Sequence, residues 1–235
     1  MAQVTRERPP PENRVLAALS SQEYKQLLPE LEPFPLVFGA KVFEPGEMIR
    51  HVYFPTSGIV SLLATTGENS SLEVGIVGNE GIVGVSAFMG VKTSRTLAVV
   101  QGGGSALRMK VGPFRKTLEN GSGLPLLLLS YTHSLLTQIS QAAVCNRFHP
   151  IDARLARWLL MTGDRMGDDE FQVTQEFLSN MLGVRREGVN RAAGSLQRKK
   201  LISYSRGTLT ILKRAALEAV ACECYKIIKD EYRRS

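Results

Sequence analysis

One short pattern narrows the possible folds of this chain more than any other. A small residue, Ser179, is followed four positions later by Gly183, and apolar residues follow at Val184 and Val189. Glycine tolerates the positive φ that a tight turn needs, and a small side chain lets a second helix cross closely above it. Phe177, Leu178 and Met181 or Leu182 can line the inner face of a first helix, while Val184, Val189, Ala192 and Leu196 give a second helix its apolar face. The spacing predicts a helix-turn-helix.

With that face turned inward, Arg185, Arg186, Glu187, Asn190 and Arg191 point outward near the start of the second helix. In a helix-turn-helix this end enters the DNA major groove. Arginine can fork onto guanine O6 and N7, and a carboxylate can accept from cytosine N4. An acid amid bases weakens phosphate attraction, so Glu187 needs another role, either reading a base or orienting Arg186 or Arg191. An exposed Glu187–Arg191 pair one helical turn apart, worth a few tenths of a kcal/mol, is compatible with both. Thr174 and Gln175, which open the first helix, complete the helical part of the candidate DNA-contacting set.

Charge supports a polyanionic partner. Residues 1–150 hold 13 Lys/Arg and 11 Asp/Glu, whereas residues 151–235 hold 16 and 11. Between 185 and 214 Glu187 is the only acid, against basic residues that include Arg198, Lys199, Lys200, Arg206, Lys213 and Arg214. Such clustering is an electrostatic footprint for phosphate, although a solvated helix face has the same look. In the next segment Ile202 and Tyr204 alternate into a Ser-Arg-Gly turn, and Leu209 and Ile211 alternate out of it. This reads as a hairpin wing with Arg206 at its tip, placed for a phosphate. A last helix is expected over about 214–232, with Leu217, Val220, Ala221, Cys224 and Ile228 as its apolar stripe.

Upstream the patterning changes. Residues 13–31 read as helix, with Ser20 and Glu23 at capping-box spacing. From Phe34 to Met109, short apolar or alternating runs lie between turn signals at 44–46, 55–58, 66–69 and 102–104. About eight short strands in a β-sandwich or barrel are expected. A short helix over 113–120 leads to a long one, in which Leu128, Thr132, Leu135, Ile139 and Ala142 fall on a heptad seam. Leu129, Leu136 and Ala143 flank that seam. A helix apolar over so much of its surface needs cover on more than one side: its own β-domain and a second subunit, or simply a buried core. His149-Pro150 should break it, and the next helix places Leu155, Trp158, Leu159 and Thr162 on one face.

These features together resemble the Crp/Fnr family of bacterial transcription regulators. The recognition-helix motif Arg-Glu-x-x-x-Arg is matched by Arg186, Glu187 and Arg191. The resemblance implies an α+β fold: an N-terminal β jelly roll (double-stranded β-helix), a long dimerisation helix and a C-terminal winged helix-turn-helix. The divisions expected are a disordered tail at 1–12, a cyclic-nucleotide-binding-like sensor domain at 13–120, a dimerisation helix and hinge at 121–149, and the DNA-binding domain at 150–235. The resemblance also implies a homodimer on a pseudo-palindromic operator, with double-stranded DNA and RNA polymerase as partners and no membrane. The dimer would meet along Leu128, Thr132, Leu135, Ile139 and Ala142.

A cyclic nucleotide is a candidate effector by the same resemblance. Glu80 would take the ribose hydroxyl, and Arg95 and Thr96 the phosphate. The chain departs from the family cassette: Asn79 intervenes before Glu80, the loop to Arg95 is longer, and Leu97 stands in place of alanine. The apolar loop at 81–91 reads alternatively as a segment buried against the long helix. Cys145, Cys222 and Cys224 are too few for an iron–sulfur cluster and fit no zinc spacing, and Cys224 reads as core. His51, His133 and His149 are scattered, so no haem or metal is expected. No nucleophile–base constellation suggests an enzyme. The other class left open is a cyclic-nucleotide-binding signalling module acting through protein contacts. The polar start without a hydrophobic signal core, and the absence of a long apolar run, give cytoplasm as the expected location.

Overall fold

The computed structural model describes residues 12–66, 71–119 and 121–234. All but Glu12 of the expected tail, and all but Thr66 of the expected 66–69 turn, lie outside these residues.

The first segment is two helices, not the single one expected. Asn13 caps α1 (Arg14–Ala17), and its amide donates to the carbonyls of Pro55 and Gly81 at 2.9 and 2.8 Å, anchoring α1 on the β-domain. Ser20 and Glu23 form the expected capping box. That cap is itself the reason for the break, because an extended N-cap residue starts a new helix, α2 (Ser21–Leu27), and cannot continue the old one.

Among the described residues seven strands follow, where about eight were expected: β1 (Glu32–Leu36), β2 (Lys41–Phe43), β3 (His51–Pro55), β4 (Ile59–Thr65), β5 (Ser71–Val77), β6 (Leu97–Gly102) and β7 (Gly104–Lys110). They form two antiparallel sheets, ordered β1-β7-β3 and β2-β6-β4-β5. Met48–Thr93 and Tyr53–Val83 pair only as isolated bridges. The sheets close over Phe54, Ile59, Ile76, Val100 and Met109, all essentially without solvent contact. This is the jelly roll.

After α3 (Val111–Glu119) comes the long helix α4 (Leu124–Phe148). Its orientation bears on the expected dimer seam. Leu128, Leu135 and Ala142 are buried against the chain's own core, and Thr132 and Ile139 are half-buried beside them. A side chain already covered within one subunit has no surface to offer a second. The solvent face instead carries Leu126, Leu129, Leu136 and Val144, with Leu126 73% and Leu136 57% exposed. The helix is held on edge strand β5 by Gln138, whose side-chain amide donates to Ile76 O (3.1 Å) and accepts from Ile76 N (2.9 Å). It thereby satisfies backbone groups that an edge strand leaves open.

His149 ends α4 in an extended conformation, and Pro150 is the N-cap residue of α5 (Ile151–Met166). Then come β8 (Glu170–Gln172), α6 (Gln175–Leu182), α7 (Arg186–Arg198), β9 (Ile202–Ser205), β10 (Thr208–Ile211), α8 (Arg214–Val220) and α9 (Cys224–Arg234). The expected single helix over 214–232 is therefore two, parted at Ala221–Glu223, where Ala221 is extended. Trp158, Leu155, Leu159 and Thr162 are buried on one face of α5, as the spacing predicts.

Candidate nucleic-acid interface and its supporting groups

Helices α6 and α7 are set by local chemistry. The Thr174 hydroxyl caps α6, accepting from Phe177 N at 3.1 Å. Gly183 sits at φ 59°, a left-handed turn in which a side chain would be strained, and Val184 N closes the turn on Ser179 O at 3.0 Å. Leu178, Leu182, Val189, Ala192 and Leu196 are fully buried between the helices and α5. Fixing that face leaves Arg185, Arg186, Glu187, Asn190 and Arg191 exposed together. Glu187 forms no ion pair with Arg186, Arg191 or any other described residue, so the simple intrahelical pair is not made. Gln175 Nε2 donates to Asn190 Oδ1 at 2.6 Å, tying the start of α6 to the outer face of α7.

The wing is three-stranded, ordered β8-β10-β9. Its two-residue turn puts Arg206 and Gly207 at φ 50° and 83°, the pattern of a type I′ hairpin, and Arg206 is exposed at the tip. Tyr204 Oη donates to Val173 O at 2.8 Å, tying the wing to the link between β8 and α6. Arg214 leaves the basic cluster: its guanidinium is held by Asp164 and, at 3.0 Å, by Asp169.

The three candidate effector residues do not meet. Glu80 is buried and ion-paired with Arg165 of α5 at 2.7 Å, both side chains under a tenth exposed. Arg95 is exposed and Thr96 half-exposed, and no hydrogen bond or ion pair joins them to Glu80 among the described residues. The first part of the apolar loop is packed inward, with Ile82, Val83, Val85 and Ala87 buried, while Met89 and Val91 are exposed. Gly81 permits this, because a Cβ there would lie 2.1 Å from the Tyr131 ring of α4.

A buried polar relay joins the jelly roll to α5. Ser61 Oγ lies 2.8 Å from Glu73 Oε2 and 2.6 Å from Gln101 Oε1, and Gln101 Nε2 donates to Thr162 Oγ1 at 2.9 Å. One serine proton cannot serve both acceptors at once: Ser61 donates to the ionised Glu73 carboxylate, and protonation of Glu73 lets the carboxyl donate instead and frees the Ser61 proton for Gln101. Burial of the carboxyl lifts Glu73 to about 7, against the pull of the Ser61 hydrogen bond and the Arg157 guanidinium. The folded chain thus keeps a proton that the unfolded chain releases from about pH 4.5 upward. This contribution to stability is present at low pH and is lost as pH rises through 7. Glu73→Gln, neutral throughout, is expected to reduce the fall in stability between pH 5 and pH 8 by about 2–3 kcal/mol. Thermal melts at the two pH values check it, and equal pH slopes for both proteins would refute it.

One constellation escapes any reading of sequence spacing. Cys145, His149, Cys222 and Cys224 converge at the joint between α4 and the α8–α9 link, with their ligand atoms all within 4.8 Å of one another. Cys145 and Cys222 are 77 positions apart in sequence, yet their sulfurs lie 3.4 Å apart. No local motif announces such a cluster; the only hints are His149 one helical turn beyond Cys145 and the Cys-Glu-Cys triplet.

An antiparallel jelly roll, a long helix with one open apolar face and a winged helix-turn-helix follow one another in that order. Residues 153–220 match the family model of the Crp-like helix-turn-helix domain. Among solved structures, the fold resembles a putative transcriptional regulator of the Crp/Fnr family from Eubacterium rectale ATCC 33656. The TM-score is 0.69 at 17% identity, covering 86% of this chain and 94% of that one. FixK2 of Bradyrhizobium japonicum gives a TM-score of 0.70 at 15% identity, covering 82% of this chain and 98% of that one. The c-di-GMP responsive global regulator CLP of Xanthomonas campestris gives 0.67 at 17%, covering 82% and 99%. A comparison with curated protein sequences finds no match. The chain has the fold of those regulators, and residues 153–220 carry the Crp-like helix-turn-helix domain. No helix among the described residues is long and apolar enough to cross a membrane.

Proposed function

We propose that the chain is a sequence-specific DNA-binding transcription regulator that acts as a homodimer on a pseudo-palindromic operator. Residues 150–235 would read DNA, 121–149 would dimerise, and 13–120 would form the controlling domain. The observation that carries this is the joint exposure of Arg185, Arg186, Glu187, Asn190 and Arg191 on a helix whose opposite face is fully buried. Arg186 reads a guanine, Glu187 an adjacent or paired cytosine, and Arg191 a further base or phosphate. Thr174 and Gln175 approach the backbone at the start of α6, and Arg206 meets a phosphate beside the groove. RNA polymerase is the protein partner such a regulator works on.

In the controlling domain Glu80 serves Arg165 and not a ligand hydroxyl. The domain thus acts first as the scaffold that holds the reading head, and any effector would have to work without that carboxylate or displace it.

The test is a binding-site selection with salt titration on wild type and two variants. A good bidentate contact gives about 1–3 kcal/mol of discrimination. Arg186→Ala is therefore expected to weaken the cognate site roughly ten- to a hundredfold and to relax one base pair per half-site. Arg206→Ala is expected to weaken all sequences alike and to shallow the salt slope by about one counterion per subunit. Half-site centres should lie about one helical turn apart. An unchanged sequence preference in Arg186→Ala would remove the assignment.

A further inference from the structure

We propose that Cys145, His149, Cys222 and Cys224 hold a single thiophilic divalent cation, zinc by ligand type, that ties the C-terminal end of the long helix to the α8–α9 joint. The ligand set is Cys3His, one of the sets that zinc takes in closed structural sites. A tetrahedron with metal–sulfur bonds of about 2.3 Å has sulfurs roughly 3.8 Å apart. Here Cys145 Sγ and Cys222 Sγ are 3.4 Å apart, Cys224 Sγ and His149 Nδ1 3.6 Å, and no ligand atom is beyond 4.8 Å from another. That spread suits one ion at the centre and is too tight for a multi-iron cluster.

Two further observations point to a metal. His149 turns Nδ1 toward Cys224 while Nε2 lies 3.2 Å from Glu223 Oε1. A carboxylate on the far nitrogen of an imidazole is the usual outer partner of a metal-bound histidine, fixing its tautomer and raising its basicity. In addition, Arg157 is 6% exposed, its Nε has no hydrogen-bond partner, its Nη1 bonds only to Met161 Sδ at 3.1 Å, and it pairs with no carboxylate among the described residues, while its charge lies close enough to Cys145 to favour the thiolate. A buried cation needs an anion. On binding, the three thiols release their protons to solvent and each sulfur donates a lone pair to the ion. A dication with three thiolates and a neutral imidazole carries a net charge of −1, opposite in sign to the two buried guanidiniums beside it, Arg157 and Arg154. The backbone supplies the spacing: Cys145 and His149 share one face a helical turn apart, and Cys222 and Cys224 flank Glu223 across the break between α8 and α9.

The full chain, expressed with zinc in the medium and purified without chelator, is expected to carry one zinc per chain by elemental mass spectrometry. After removal of the metal under reducing conditions, cobalt should enter the same site with thiolate-to-cobalt charge transfer and the intense d–d bands of tetrahedral coordination. Cys222→Ser and His149→Ala should each lower affinity at least tenfold in chelator competition. Glu223→Gln should keep one ion per chain but bind it about 10–100-fold more weakly. His149→Cys, which restores four ligands, should keep the cobalt spectrum even where Cys222→Ser fails to fold. The proposal is overturned by any of three results: far less than one ion per chain after reloading, cobalt bands of an octahedral site, or metal affinity indifferent to these substitutions. It is equally overturned if Cys145 and Cys222 are found joined as a disulfide and, once reduced, the protein takes up no ion. None of these readouts involves DNA, so they stand or fall apart from the proposed reading of operators.

Discussion

Leu136→Asp is expected to give a folded monomer. Leu126, Leu129 and Leu136 lie on one open face of α4, and a two-fold axis along that face would bring each side chain close to its own copy. Two aspartates facing each other across such an axis are like charges taken out of water, and the desolvation is not offset by any partner. Operator affinity should fall on the order of a hundredfold or more, because each head then binds its half-site without the effective concentration that linkage supplies. Leu135→Asp is the contrasting variant. Leu135 is buried within one subunit, so a charge there should prevent folding and not merely assembly. Sedimentation velocity at micromolar concentration decides between the faces, and a Leu136→Asp protein that remains dimeric would place the interface elsewhere.

Removing the Glu80 carboxylate should be the most costly single change at the contact between the β-domain and α5. Arg165 donates to Glu80 at 2.7 Å and lies over the Tyr232 ring at 5.1 Å from its centroid. Glu80 also accepts from Gly78 N at 3.1 Å. Glu80→Ala leaves a buried guanidinium without its counter-charge, a loss of about 3–5 kcal/mol. In a chain of this size that corresponds to a melting temperature lower by roughly 6–20 °C. Pairing Glu80→Leu with Arg165→Met should recover much of it, since apolar replacement of a whole buried pair is often neutral. A Glu80→Ala protein that melts with wild type would show that the pair contributes nothing to the contact. A cyclic nucleotide that stabilises wild type but no longer stabilises this variant would return Glu80 to the role the family resemblance gave it.

What could be read in the sequence was local. The capping box at Ser20–Glu23, the turn at Gly183, the buried stripe of α7 and the Ser-Arg-Gly turn of the wing each depend on residues within a few positions of one another, so spacing alone specified them. The facing of α4 was not local. Leu128/Leu135/Ala142 and Leu129/Leu136/Ala143 are both apolar rows repeating every seven residues, and periodicity cannot say which row the β-domain covers. The structure shows that Gln138 settles it, because the residue that caps β5 must face inward with the row beside it. The Glu80–Arg165 pair spans 85 positions and the Cys145–Cys222 contact 77. For such contacts only tertiary placement brings the chemistry together. The break between α8 and α9 was missed for a related reason. The apolar stripe runs on through Cys224, while the interruption comes from the extended backbone at Ala221.

The Gln138 side chain has one more partner: its Nε2 also donates to Tyr232 Oη at 2.7 Å. One amide group thus connects the outermost strand of the jelly roll, the middle of the long helix and the final turns of α9. Fraying of α9 strips that amide of a bond and loosens its hold on Ile76, so the edge of the β-domain and the far end of the reading domain open as one cooperative unit. The free energy that protects the backbone amide of Ile76 from exchange with solvent is therefore set in part more than 150 residues further along the chain, at Tyr232.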